Sequence, residues 1–194
     1  MKNIIFFGDS LTAGYSLPAS DSFPARIQEK IDAVHLPYRA LNYGVSGETS
    51  AGGRQRLPTV LARQAPAVFV LALGANDGLR GIPVRETVAN LRAILTEVRR
   101  QFPTAQLVLA GLEVPFDLGP LGLPGLSHYA QEFGGLFRAL AAAESIVLVP
   151  SLLAGVLGRR ELNLPDRVHP NAAGQRLLAA NIWAVLEPLL QAAA

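Results

Sequence analysis

Apolar and polar positions follow two different periods in turn along this chain. Residues 3–7 centre on the unbroken run Ile4-Ile5-Phe6-Phe7, and residues 67–73 are apolar throughout. Continuous runs of that length fit strands covered on both faces. Residues 39–43, ending at Gly44, and residues 106–110 and 146–149 supply three further strands. Between the strands the period changes to three or four residues. Ser22 stands where it can cap a helix with Pro24 in the first turn, and Phe23, Ile27 and Ile31 recur at four-residue spacing. A helical stretch opens near Ser50, and Pro58 is expected to kink or restart it. After Pro83, the residues Val84, Val88, Leu91, Leu95 and Val98 make one apolar stripe. Residues 126–143 read as helix, and a last helix after Pro170 presents Leu177, Leu178, Ile182 and Leu186. Strands alternating with helices predict an α/β fold, a parallel sheet with helices on both faces.

An open parallel sheet binds ligands beyond the carboxyl ends of its strands. Three polar clusters fall at such ends: Gly8-Asp9-Ser10, then Gly44-Val45-Ser46-Gly47-Glu48-Thr49, then Gly74-Ala75-Asn76-Asp77. A fourth, Asp166-Arg167-Val168-His169-Pro170, lies between the last strand and the last helix. Topology alone therefore brings all four to one edge. A serine hydroxyl is a poor nucleophile near neutral pH; it needs a base within reach, and the base needs an orienting partner. Ser10 is the expected nucleophile, His169 the base and Asp166 the carboxylate that holds the imidazole. Ser46 is a rival, because Gly44-Val45-Ser46-Gly47 approaches the G-x-S-x-G elbow, but Glu48 occupies the final glycine position and the motif fails. Asp9 is read as a structural carboxylate bonding local N–H groups, and Asp77 as orienting the Asn76 loop. Arg54 and Arg80 are read as solvated, the alternative being contact with an anionic substrate group.

Composition narrows the picture. The chain has 194 residues, enough for a single domain spanning 1–194; half are hydrophobic and 16% are charged, a globular balance. The formal charge is +2, carried by 15 Arg and 2 Lys, and no basic run exceeds two residues. That is no nucleic-acid footprint. There is no cysteine, which excludes a thiol nucleophile, a thiolate metal site and disulfides. HExxH, EF-hand, Walker and G-x-G-x-x-G patterns are all missing, so neither a metal nor a nucleotide cofactor is expected. No apolar run reaches the roughly 18 residues of a membrane span, and no stable membrane insertion is expected. The apolar run after Met1-Lys2-Asn3 is short for a signal-peptide core. The expected compartment is cytoplasmic as written, or periplasmic or secreted if a leader was removed.

Four ordered blocks resemble the SGNH (GDSL-type) hydrolases: Gly8-Asp9-Ser10-Leu11, Gly47 within Val-Ser-Gly-Glu-Thr-Ser, Gly74-Ala75-Asn76-Asp77, and Asp166-x-x-His169-Pro170. Gly8 to Tyr15 and Asn76 to Gly81 look like the bacterial thioesterase I, arylesterase and lysophospholipase L1 group. The resemblance implies a three-layer α/β/α sandwich on a five-stranded parallel sheet, flavodoxin-like in layout. It also assigns the oxyanion donors: the backbone N–H of Ser10, the backbone N–H of Gly47 and the side-chain amide of Asn76. The implied activity is hydrolysis of short- to medium-chain carboxylic esters, including aryl esters, thioesters and lysophospholipids, with a small-molecule ester as partner. A carbohydrate O-acetylesterase and a silent acyl-binding module are the alternatives. Phe116, Leu118 and Leu121, in the Pro-, Gly- and Leu-rich segment 115–125, are the expected contacts to an acyl or aryl chain; otherwise they pack the loop onto the body.

Overall fold

The computed structural model describes residues 1–112 and 124–193, with backbone alone for 124–128 and 130. Five strands form one sheet: β1 (Lys2–Gly8), β2 (Tyr38–Gly44), β3 (Val68–Ala72), β4 (Gln106–Ala110) and β5 (Val147–Val149). Their order is β2-β1-β3-β4-β5 and every pairing is parallel. Helices α1 (Ser10–Ala13), α2 (Phe23–Ala33), α3 (Ser50–Leu61), α4 (Ala75–Leu79), α5 (Val84–Gln101), α6 (Pro124–Glu144) and α7 (Ala172–Ala192) connect and follow the strands. α2 packs with α7, and α3, α5 and α6 pack in a row, which gives the three layers expected.

The unbroken apolar runs are buried on both faces for a visible reason. Phe6 meets Phe23 of α2 edge to face at 5.5 Å, while its neighbour Phe7 points the other way, toward Phe69 and α3. Ile4 to Phe7 and Phe69 to Leu71 are wholly inaccessible. The edge strands β2 and β5 are only partly covered.

Two local expectations change. Pro58 does not restart α3, which runs through it as one helix. Proline releases the carbonyl four residues earlier, that of Arg54; both residues lie on the solvent side, where the freed group is open to water. Ser22 does begin α2, but its hydroxyl donates to the Ala19 carbonyl and caps nothing. The Phe23 N–H is instead taken by Gln175 Oε1 at 2.7 Å, from α7.

Candidate active site

The strand order reverses between β1 and β3, and the crevice at such a switch point is where this architecture holds ligands. Ser10 leaves the carboxyl end of β1 and Asn76 that of β3. Ser10 opens the four-residue helix α1. Asp9 caps it, its Oδ1 accepting the Leu11 N–H at 2.9 Å, and Gly14 closes it in the left-handed conformation. Gly8 lets the ends of β1 and β3 approach closely here: a Cβ on it would stand 2.6 Å from the Ala72 carbonyl oxygen.

The histidine arrives from the far end of the chain on a pinned loop. Leu164 N–H donates to the His169 carbonyl at 2.7 Å and Asn171 N–H to the Leu162 carbonyl at 2.9 Å, closing the turn at its base. At the tip Arg167 is left-handed, φ 62°. Asp166 Oδ1 accepts the N–H groups of Val168 and His169 at 2.9 and 3.0 Å, and its Oδ2 lies 2.7 Å from His169 Nδ1. The His169 backbone N–H, the imidazole and the Val168 N–H together hold this carboxyl down at about 2. An ionised carboxylate only accepts, so Nδ1 carries the imidazole proton. The lone pair of Nε2 then faces Ser10 Oγ, 3.1 Å away.

Two contacts that sequence reasoning missed steady this arrangement. Tyr15 stacks on the His169 ring, centroids 4.3 Å apart and tilted 32°. Gln175, buried on α7, takes the Phe23 N–H and donates to the Leu11 carbonyl at 3.1 Å, which ties the histidine end of the chain to the serine end. A glutamine in the first turn of the largely apolar last helix was the available signal.

The other two blocks are fastened to each other. Asp77, fully buried, accepts Ser50 N–H at 2.8 Å, Ser50 Oγ–H at 2.5 Å and Thr87 Oγ1–H at 3.2 Å, so it orients the loop that begins α3 as well as the Asn76 loop. Asn76 Nδ2 donates to the Glu48 carbonyl at 3.0 Å, which occupies one of its two N–H bonds. Gly47 is left-handed, φ 78°, and its carbonyl accepts from Arg80 Nη2 at 2.9 Å. Among the described residues, the backbone N–H groups of Ser10 and Gly47 have no acceptor. Arg56 is a further unforeseen clamp. It grips the Glu48 carboxylate, donates to the Tyr43 and Gly8 carbonyls at 2.8 and 3.2 Å, and lies 3.9 Å over the Phe7 ring. It thereby joins the ends of β1 and β2.

Asp9 is 1% exposed, and its Oδ2 is buried without a partner among the described residues. Burial, with the charges of Glu48 and Asp77 adding, pushes this carboxyl up to about 7 against the pull of the Leu11 N–H. A carboxyl that binds its proton more tightly when folded stabilises fully below the ordinary value near 4. That contribution drains away as pH rises through about 7. Thermal melts of Asp9→Asn and wild type should therefore diverge in the variant's favour from pH 4 to pH 8. A difference independent of pH would show that the group does not titrate in that interval.

A cleft of about 290 Å³ opens at Ser10, Asn76 and His169. Its remaining walls are largely apolar: Leu11, Leu79, Leu112, Phe133, Leu153, Leu157 and Val168. Gly47 does not line it. A larger open groove of about 580 Å³ between α3 and α5 includes Arg54, whose Nη1 donates to Asn90 at 3.4 Å, but it contains neither serine nor histidine and lies away from the chemistry. The expected substrate contacts Phe116, Leu118 and Leu121 lie outside the described residues. Among the described residues no cluster of three or more His, Cys, Asp or Glu could hold a metal, and no helix is long and apolar enough to cross a membrane.

Comparison with known proteins gives the family and the fold. Residues 6–177 match the GDSL-like lipase/acylhydrolase family. Esterase TesA of Pseudomonas aeruginosa is 36% identical over 97% of this chain and 90% of its own length. The crystal structure of TesA superposes with a TM-score of 0.87, covering 97% of this chain and 99% of that one. Thioesterase 1/protease 1/lysophospholipase L1 of Escherichia coli K12 is 30% identical over 96% of this chain and 84% of its own. The psychrotrophic esterase EstA of Pseudoalteromonas sp., solved in a form inhibited by monoethylphosphonate, is 28% identical with a TM-score of 0.86 and covers 98% of this chain and 100% of that one. With four blocks meeting at the switch point of a five-stranded parallel sheet, the chain belongs to the GDSL-like lipase/acylhydrolase family, the SGNH hydrolases, and is a carboxylic ester hydrolase of that family.

Proposed function

We propose that the chain hydrolyses esters of short- to medium-length apolar acyl groups through an acyl-enzyme on Ser10, with aryl esters, acyl thioesters and lysophospholipids in its range. The observation that carries this reading is the continuous polar line from Asp166 through His169 to Ser10, with separations of 2.7 and 3.1 Å. Both fall within hydrogen-bond reach for a nucleophile, its base and the base's orienter.

The steps follow from the atoms present. Ser10 Oγ bonds to the ester carbonyl carbon as its proton passes to His169 Nε2, and the carbonyl π electrons move onto oxygen. The Ser10 N–H, the Gly47 N–H and the second N–H of Asn76 are the donors for that oxyanion. Asp166 stabilises the imidazolium across Nδ1–H. As the carbonyl re-forms, the leaving oxygen or sulfur departs with the proton from Nε2. Water then attacks the acyl-enzyme, again giving a proton to Nε2, and that proton returns to Ser10 Oγ as the carboxylic acid leaves. The phosphonate-inhibited relative supports this reading, since a phosphonyl group imitates the tetrahedral intermediate at a nucleophilic serine.

The apolar walls favour an acyl chain over a carbohydrate. Octanoyl or butyryl esters are expected to be turned over in preference to acetylated xylan. The reverse order would select the O-acetylesterase alternative.

A further inference from the structure

The residues lining the cleft differ widely in exposure. Leu79 is 72% exposed and Val168 and Leu157 are partly exposed, whereas Leu11, Leu112 and Phe133 are nearly inaccessible. Phe133 differs from the leucines in what stands behind it. Its ring lies edge to face with Phe137 at 5.9 Å and beside Tyr129 at 5.8 Å. Phe137 is 1% exposed, and the Tyr129 hydroxyl donates to the Ile82 carbonyl at 2.8 Å. These three aromatics recur every fourth residue on α6, so they share one face of it. That face is pressed against the loop bearing Asn76. A Cβ placed on Gly78 would meet two carbons of the Phe133 ring at 3.1 Å, and one placed on Gly74 would meet Phe137 at 3.1 Å. The ring is held by the loop on one side and by its aromatic neighbours on the other.

We propose that Phe133 is a specificity-determining residue that closes the inner end of the acyl channel, so that the preferred substrates are esters of unbranched, medium-length acyl chains whose terminal methyl meets this ring. The inference rests on the reading above that the acyl group enters the cleft at Ser10. Leucine walls adjust by rotamer changes at small cost. A ring fixed on both sides retreats only by opening the core behind it, and overpacking a tight interior is unfavourable. Each methylene added within the channel should raise kcat/KM by up to about fourfold. The gain stops and reverses at the length that reaches Phe133.

The test is a series of p-nitrophenyl esters from acetate to palmitate, kept below their aggregation concentrations, on wild type and on Phe133→Leu, Phe133→Ala and Phe133→Trp. Wild type is expected to show one maximum in kcat/KM with a fall beyond it. Phe133→Leu and Phe133→Ala should move that maximum at least two carbons longer and raise the long-to-short ratio about tenfold or more, since two further methylenes fit. Phe133→Trp should move it shorter. A thermal melt of each variant serves as the control for folding. A wild-type profile that rises to palmitate overturns the proposal without any variant. A maximum left in place by a variant that still hydrolyses acetate overturns it as well. A purely structural role would depress all lengths alike and leave the maximum where it was. Fluorophosphonate labelling of Ser10 in each variant separates this outcome from failure of the esterase mechanism itself.

Discussion

Replacing Ser10 by alanine is expected to lower ester hydrolysis by at least about 10⁴-fold while the protein stays folded. The magnitude follows from the loss of a covalent route: without Oγ the oxyanion donors and the cleft remain, and these alone leave a small residual rate over water. The fold should tolerate the change because, among the described residues, Oγ has a single polar partner, His169. The helical turn it begins depends on Asp9 and on the Ser10 carbonyl, which accepts the Gly14 and Tyr15 N–H groups at 3.1 Å, and alanine keeps both. The measurement is p-nitrophenol release from a butyrate ester beside a thermal melt. Wild-type turnover in a folded Ser10→Ala would defeat the acyl-enzyme mechanism. A fluorophosphonate probe should label wild type and leave the variant unlabelled, which separates loss of the nucleophile from loss of substrate binding.

Much of this site could be read from the chain before any coordinates, and the reason is topological. A run such as Ile4 to Phe7, apolar on both faces and closed by a glycine, fits an interior strand. Once β1 and β3 are placed, the rule for parallel sheets sends Ser10 and Asn76 to the same crevice. Asp166 and His169 were equally legible, since three residues of a tight turn leave little freedom for where the two side chains point. Contacts made across layers were not legible. Gln175 completes the start of α2 from α7, 152 residues away, and no local pattern announces that a helix N-terminus will be satisfied by another helix. Ser22 looked like the cap because caps are normally local. Arg56 belongs to no sequence motif, yet its guanidinium joins the ends of two strands. The walls of the cleft were less legible. Composition drew attention to the leucine-rich segment 115–125, whose expected contacts lie outside the described residues, and the described lining is collected from α1, α4, the residues just after β4, α6 and the turns after β5. Side chains gathered from so many elements share no spacing to detect.

Asn76→Ala is expected to lower kcat by about 10² to 10³ with a much smaller change in KM. The split matters because a donor aimed at the oxyanion does its work only once charge has formed there; the ground-state carbonyl gains little from it. Asn76 also steadies the loop by donating to the Glu48 carbonyl, so alanine removes two things at once. The loop has independent anchors in Asp77, which accepts from Ser50 and Thr87, and in the aromatic face of α6. These should keep α4 in place, and the melting temperature should fall by only a few degrees for the one hydrogen bond lost. If loosening of the loop were the whole effect, KM would rise along with the fall in kcat, and long acyl substrates bridging Leu79 and Phe133 would rescue part of the loss. A transition-state donor predicts the same fractional loss at every chain length.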